Sequence, residues 1–212
     1  MCTLGINLSN HFTTSLGITA QYFTLNKNWT VEPRAALKWT FNPKHALALA
    51  YGLHSRRERL DYYFVEQEVN GKTESNRYLN FSKAHHFGLT YAWNINSYMH
   101  LKVEPYYQYL FRIPVEENSS FSIINHQSFY LDRILKNRGS GVNYGIDITL
   151  EQYMKNGFYY MITASLFKSK YKAGDNIWRN TRLDKNYLLN ILAGKEWMVG
   201  PVSYTHLRAH ET

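Results

Sequence analysis

The sequence contains a single cysteine, Cys2, in 212 residues, and none of its apolar runs approaches the roughly 18 residues a membrane helix needs. A lone thiol excludes an internal disulfide framework, and with it a small secreted scaffold or a structural zinc site. The missing apolar runs exclude a helical membrane protein, in keeping with a mean hydropathy of -0.45. Acids are also few: 16 Asp and Glu stand against 24 Lys and Arg, for a net charge of +8 and a pI near 9.4. Such an excess suits nucleic acid, but the basic residues are scattered through strand-like segments and loops, with no helix or fingerprint to present them. No nucleic-acid partner is expected.

What the chain has is alternation. In "VNYGIDITLEQY", Val142, Tyr144, Ile146, Ile148 and Leu150 alternate with Asn143, Gly145, Asp147, Thr149 and Glu151. A period of two is the strand period, so the two faces of this segment meet different surroundings. Twelve residues at roughly 3.3 Å each give about 40 Å, enough to cross a bilayer at a tilt near 45°. The register recurs in "TVEPRAALKWTF" (30–41), "LKVEPYYQYLFR" (101–112) and "GFYYMITASLF" (157–167). Aromatics make up 16% of the chain, and Trp29, Trp39, Trp93, Tyr98, Tyr153 and Trp197 fall near strand ends, where a bilayer barrel carries its aromatic girdles.

The pattern predicts about nine strands, at 2–9, 13–24, 29–41, 45–54, 83–94, 98–112, 141–154, 158–170 and 186–198. Tight turns at "SNHF", "FNPKH", "WNINS" and "YMKNG" alternate with long polar connections at 55–82, 113–140 and 171–185, and "LNKN" is the one short exception. Outer-membrane barrels sort their connections by end in this way, with short periplasmic turns and long extracellular loops. The expected fold class is therefore all-β, an antiparallel up-and-down transmembrane β-barrel. Tyr144, Ile146, Ile148 and Leu150 would then face lipid. A mixed-sign polar wall of Glu32, Arg34, Lys38, Lys102, Glu104, Arg112, Asp147 and Glu151 would face the lumen and pair across strands or with an occupying domain.

Catalytic signals are weak, and no enzyme, cofactor or metal is expected. His85 and His86 are adjacent, so in a strand they point to opposite faces and cannot readily share an ion. Asp147 and Glu151 lie roughly 13 Å apart on one strand face, too far for an acid/base pair. The glycines of the Asn137–Gly141 stretch read as a loop tip. Recognition is expected in the 55–82 loop, where Arg56, Arg57, Arg59, Tyr62, Tyr63 and Phe64 combine charge and aromatic surface suited to an extracellular ligand or to lipopolysaccharide phosphates.

The segments "VEPRAALKW", "KHALALAYGLHSR", "LKVEPYYQYLF", "NYGIDITLEQYMKNGFYY" and "YLLNILAGKEW" resemble the barrel of TonB-dependent outer-membrane receptors of Bacteroidetes, the carboxypeptidase-regulatory-domain type. The resemblance covers residues 1–200. It implies that the barrel is incomplete, about nine strands of a barrel of about 22 closed by a plug domain, in the outer membrane of a Gram-negative bacterium. It also implies import of a bulky or scarce nutrient driven by the TonB energy-transducing complex, with outer-membrane lipid and lipopolysaccharide as surroundings. No signal peptide, TonB box or plug is recognised within the chain. Residues 201–212, "PVSYTHLRAHET", break the alternation and resemble adaptor or vector read-through, so they are expected to form an unpaired, non-barrel tail. A passive porin or structural outer-membrane barrel, and a soluble ligand-binding β-barrel with Tyr144 and Ile148 turned inward, are the alternative functions.

Overall fold

The computed structural model describes residues 2–69, 71–199 and 202–210. In chain order the strands are β1 (Cys2–Asn7), β2 (Phe12–Phe23), β3 (Asn28–Asn42), β4 (His45–Arg56), β5 (Glu66–Val69), β6 (Lys72–Ser75), β7 (Ser82–Asn96), β8 (Met99–Val115), β9 (Lys136–Lys155), β10 (Phe158–Lys172), β11 (Trp178–Asn180), β12 (Tyr187–Val199) and β13 (Val202–His210). All nine expected strands are among them. They form one 11-stranded antiparallel sheet in the order β1-β2-β3-β4-β7-β8-β9-β10-β12-β13, with β11 against β10 and with β5 and β6 apart as a hairpin. Neighbours in the sheet are neighbours in the chain, as in an up-and-down meander, and the sheet is open at β1 and β13. Among the described residues there is no α-helix, only three short 3-10 turns at Leu60–Phe64, Asn76–Tyr78 and Ile123–Asn125.

Local chemistry explains where the ladders break. A proline has no N–H to donate, so an interior strand proline costs a rung. The β3–β4 ladder ends at Arg34↔Gly52, one residue short of Pro33. Between β7 and β8 the pairing passes from Gly88↔Tyr106 to Tyr91↔Val103, omitting the rungs around Pro105. Side chains bridge this second gap, with Thr90 Oγ1 donating to Glu104 Oε1 at 3.1 Å.

Three expectations need correction. The Asn137–Gly141 stretch is strand, not loop tip: β8 runs on to Val115 and β9 starts at Lys136, joined past a bulge at Arg112 (φ 55°) by the pairs Ile113↔Gly139, Pro114↔Asn137 and Val115↔Lys136. Gly139 is needed there, because a Cβ would lie 2.4 Å from Val115 Cγ1. The 55–82 and 113–140 connections are not simply polar excursions but fold together into a core. Residues 202–210 are not unpaired either, since they continue the sheet from Val199↔Val202 to Ile191↔His210. The free edge of β12 offers a row of backbone donors and acceptors to any extended segment that follows it.

Directly opposed residues share a face, so the register carries each strand's alternation across the sheet. Ile148 lies between Val103 and Ala164, and Asp147 between Glu104 and Ser165. The result is one apolar face and one polar face. The large exposed hydrophobics Leu16, Trp39, Leu49, Phe87, Tyr107, Tyr144, Ile148, Leu166 and Ile191 all stand on the apolar face, and among the described residues no layer covers it. The buried apolar residues gather instead at the long-loop end, in a cluster of Tyr62, Tyr63, Leu79, Ile113, Ile123, Leu131 and Leu135. A sheet with an oily face and its core displaced to one end is built for a solvent that is itself apolar.

Candidate functional site

The polar face is organised around Glu32, which is 2% exposed although it is a carboxylate. It accepts hydrogen bonds from Gln21 Nε2 at 2.5 Å, the Ser55 backbone N–H at 3.0 Å and Arg34 Nη2 at 3.1 Å. These bonds tie β2, β3 and β4 together beyond the point where the β3–β4 ladder has stopped. On β8, Lys102 Nζ lies 2.7 Å from Glu104 Oε2. Both ion pairs run along a strand, from residue i to i+2, and not across strands as expected. Register is the reason: Glu104 faces another acid, Asp147, and Lys102 faces Ala92 and Thr149. Lys38, facing Thr13 and Ala48, completes the wall with Asp147 and Glu151, and none of these three makes an ion pair among the described residues. Arg112 sits on the bulge, where its carbonyl accepts from Asn137 Nδ2 at 2.8 Å.

Small residues pave the middle of this face. Gly17, Ala36, Ala50, Gly52 and Gly88 line a groove of about 420 Å³ bordered by Arg34, His54, His86, Tyr106 and Gln108. Tyr106 lies across its register partner Gly145, where an added Cβ would meet Leu166 O at 2.6 Å and Tyr106 Oη at 2.9 Å. The two adjacent histidines part as expected. His85 stacks on Phe111 on the apolar face with Nδ1 3.0 Å from Tyr51 Oη, and His86 meets His54 on the polar face with ring centroids 4.5 Å apart.

The loop residues expected to meet a ligand divide into two groups. Tyr62 and Tyr63 are 4% and 1% exposed and serve as core: Tyr62 Oη donates to Ser128 O at 3.2 Å, and Tyr63 Oη accepts from the Glu58 N–H at 3.2 Å. Burial pushes both phenols above their ordinary pKa. Arg56, Arg57, Arg59 and one edge of Tyr62 do border an open cavity of about 590 Å³, while Phe64 is exposed outside it. The three guanidiniums are not equivalent. Arg59 grips Asp61 through two hydrogen bonds at 3.0 and 3.1 Å, and Arg56 reaches Glu58 at 3.4 Å. Arg57 lies over the Phe23 ring, 5.8 Å from its centroid, and makes no ion pair among the described residues.

Sequence reasoning missed the residues that hold the loops. Asn76, 0% exposed, accepts from the Leu135 N–H at 2.7 Å and donates to Arg133 O at 2.8 Å, joining two connections almost sixty residues apart. Asn137 similarly exchanges bonds with the Asn80 backbone at 2.8 and 3.1 Å. On the loop rim, Lys136 donates to Glu117 at 2.6 Å, which lowers the carboxyl's pKa and raises the amine's. No local signal marks an asparagine for such a role, because its partners come from another connection.

No family model matches the sequence, and no curated protein does. Solved structures match the fold. The ferric-catecholate import receptor Fiu from E. coli K12 superposes with a TM-score of 0.68 over 92% of this chain, at 9% identity. The ferripyoverdine receptor of the Pseudomonas aeruginosa outer membrane, solved bound to ferripyoverdine, gives 0.66 over 93% at 9% identity. The alcaligin outer-membrane receptor FauA from Bordetella pertussis gives 0.62 over 96% at 12% identity. This chain spans 31%, 25% and 37% of those chains respectively. The fold is that of a section of their barrel wall, an incomplete antiparallel β-barrel.

Proposed function

We propose that this chain is part of the barrel of a TonB-dependent outer-membrane receptor of a Gram-negative bacterium, of the Bacteroidetes carboxypeptidase-regulatory-domain type. Its role is in transport, not catalysis: the import of a bulky or scarce nutrient. The apolar face, uncovered across successive strands, carries this reading, because lipid is the solvent that such a face requires. The polar wall of Glu32, Arg34, Lys38, Lys102, Glu104, Asp147 and Glu151 then faces the lumen, where a plug domain in the complete protein meets it, and TonB supplies the energy. The ferric-catecholate and ferripyoverdine names of two structurally similar receptors support a scarce-nutrient cargo. Arg57 and the neighbouring cavity are the proposed contact for an extracellular ligand. The origin of residues 201–212 in adaptor or vector read-through belongs to the same reading, and the pairing of residues 202–210 with β12 is what an open edge does to any extended neighbour.

The test uses the complete receptor gene. The product should fractionate with the outer membrane, migrate in a heat-modifiable way, and support uptake that stops when the inner-membrane proton gradient is collapsed. Uptake indifferent to that collapse would favour a passive porin. A closed, channel-forming species refolded from these 212 residues alone would show a small autonomous barrel instead.

A further inference from the structure

We propose that His54 and His86 form a binding site for a late first-row transition-metal ion such as Zn²⁺ on the polar face of the sheet. Register brings them together. His86 on β7 stands opposite Gly52 on β4, and His54 lies two residues further along β4, so the two imidazoles project from neighbouring strands on one face. Gly52 puts no side chain between them: a Cβ there would lie 2.7 Å from His54 Nε2, so glycine leaves the His54 ring room to fold back toward His86. The ring centroids are 4.5 Å apart, and the planes are tilted by 51° instead of stacked flat. Two imidazoles on one ion, each nitrogen about 2.1 Å from it, place their centroids about 4.5–5.2 Å apart for nitrogen–metal–nitrogen angles of about 90–110°. The pair is spaced for a shared ion. The whole 55–82 connection separates the two residues in sequence, so no spacing motif marks them.

These two rings have no other use in the fold. His11, His45, His85, His100 and His126 each hold a ring nitrogen within 3.2 Å of a hydrogen-bond partner. His54 and His86 have no hydrogen bond or ion pair among the described residues. An imidazole nitrogen without a partner is available to a metal, and imidazole suits zinc, copper and nickel, whereas calcium and magnesium call for oxygen ligands. The guanidinium bordering the same groove, Arg34, already holds Glu32 at 3.1 Å, which balances its charge beside a dication. No group of three or more His, Cys, Asp or Glu is placed for a metal among the described residues, so the site is an open one. Two protein nitrogens hold the ion, and its remaining positions face the groove of about 420 Å³, where water or an anionic group fills them. The site goes beyond the barrel reading and does not depend on it, because it needs only that β4 and β7 be neighbours.

The experiment titrates the complete protein in detergent, without a polyhistidine tag, with Zn²⁺, Ca²⁺ and Mg²⁺. The wild type should bind Zn²⁺ at a site that the other two ions do not fill. H54Q and H86Q should each weaken that binding by more than about 10-fold, the least that even an outer-shell partner of a metal ligand contributes. H100Q, at a histidine bonded to Asn94 at 2.7 Å, should bind like the wild type. Cu²⁺ supplies a second readout: its electron paramagnetic resonance spectrum should show coupling to two imidazole nitrogens in the wild type and lose it in H54Q/H86Q. Wild-type Zn²⁺ affinity in H54Q/H86Q, an unchanged Cu²⁺ spectrum in that variant, or equal affinity for Ca²⁺ overturns the proposal. The wild-type spectrum tests the site even where a variant fails to fold, because a Cu²⁺ signal without two-nitrogen coupling refutes it.

Discussion

Glu104 and Asp147 stand directly opposite one another on the polar face, two carboxylates as register partners across β8 and β9. Glu104 is relieved by Lys102 at 2.7 Å and by Thr90 at 3.1 Å, while Asp147 has no ion pair among the described residues. Like charges directly opposed on a sheet repel, and a wet lumen tolerates that where hydrocarbon would not.

That contrast can be measured at adjacent residues. Asp147→Asn removes the repulsion and should be neutral or slightly stabilising in bilayer refolding of the complete receptor. Ile148→Arg, one residue on and on the opposite face, should destabilise by roughly 2–4 kcal/mol near the bilayer midplane. Equal effects from the two substitutions would mean that the faces are misassigned.

The loop core should depend on Asn76. Asn76→Ala leaves the Leu135 N–H and the Arg133 carbonyl without the partners they now have at 2.7 and 2.8 Å, and a buried group left unpaired costs about 1–3 kcal/mol. The expected outcome is faster proteolytic cleavage within 116–135 in an otherwise intact, heat-modifiable receptor. Wild-type cleavage rates would remove Asn76 from this role.

Connection length sets the topology. With Cys2 replaced by Ser, a cysteine at Lys72 or Ser120 should react with an impermeant thiol reagent on intact cells, and one at Lys44, in the tight turn between β3 and β4, should not. Labelling confined to the Lys44 variant would invert the orientation.

The rim pair responds to pH with a definite sign. The Lys136 hydrogen bond depresses the Glu117 pKa, so the pair's contribution is fully present above the carboxyl's unfolded value and is lost as pH falls through the folded one. The raised Lys136 pKa gives the mirror case, a contribution present below the unfolded amine value and lost as pH rises through the folded one. A spin label at Ser120 should therefore be less mobile near neutral pH than at a pH of about 3, and Glu117→Gln should reduce that difference. An identical acid response in the variant would assign the change to other groups.

The alternation from Val142 to Leu150, the nine strands and the sorting of their connections are legible in the sequence, because side-chain direction in a strand is a local property with a period of two. The parting of His85 from His86 follows from the same rule. The tertiary structure alone decides what depends on partners distant in the chain. Register places Glu104 against Asp147 and turns the ion pairs along the strands. Packing between two long connections buries Tyr62 and Tyr63 in the loop core and gives Asn76 its place, and a ladder continued beyond the Arg112 bulge makes strand of the residues around Gly139. Period two says which residues share a face but not which residues meet across it, since strand pairing and loop burial are set by contacts that exist only once the sheet has formed.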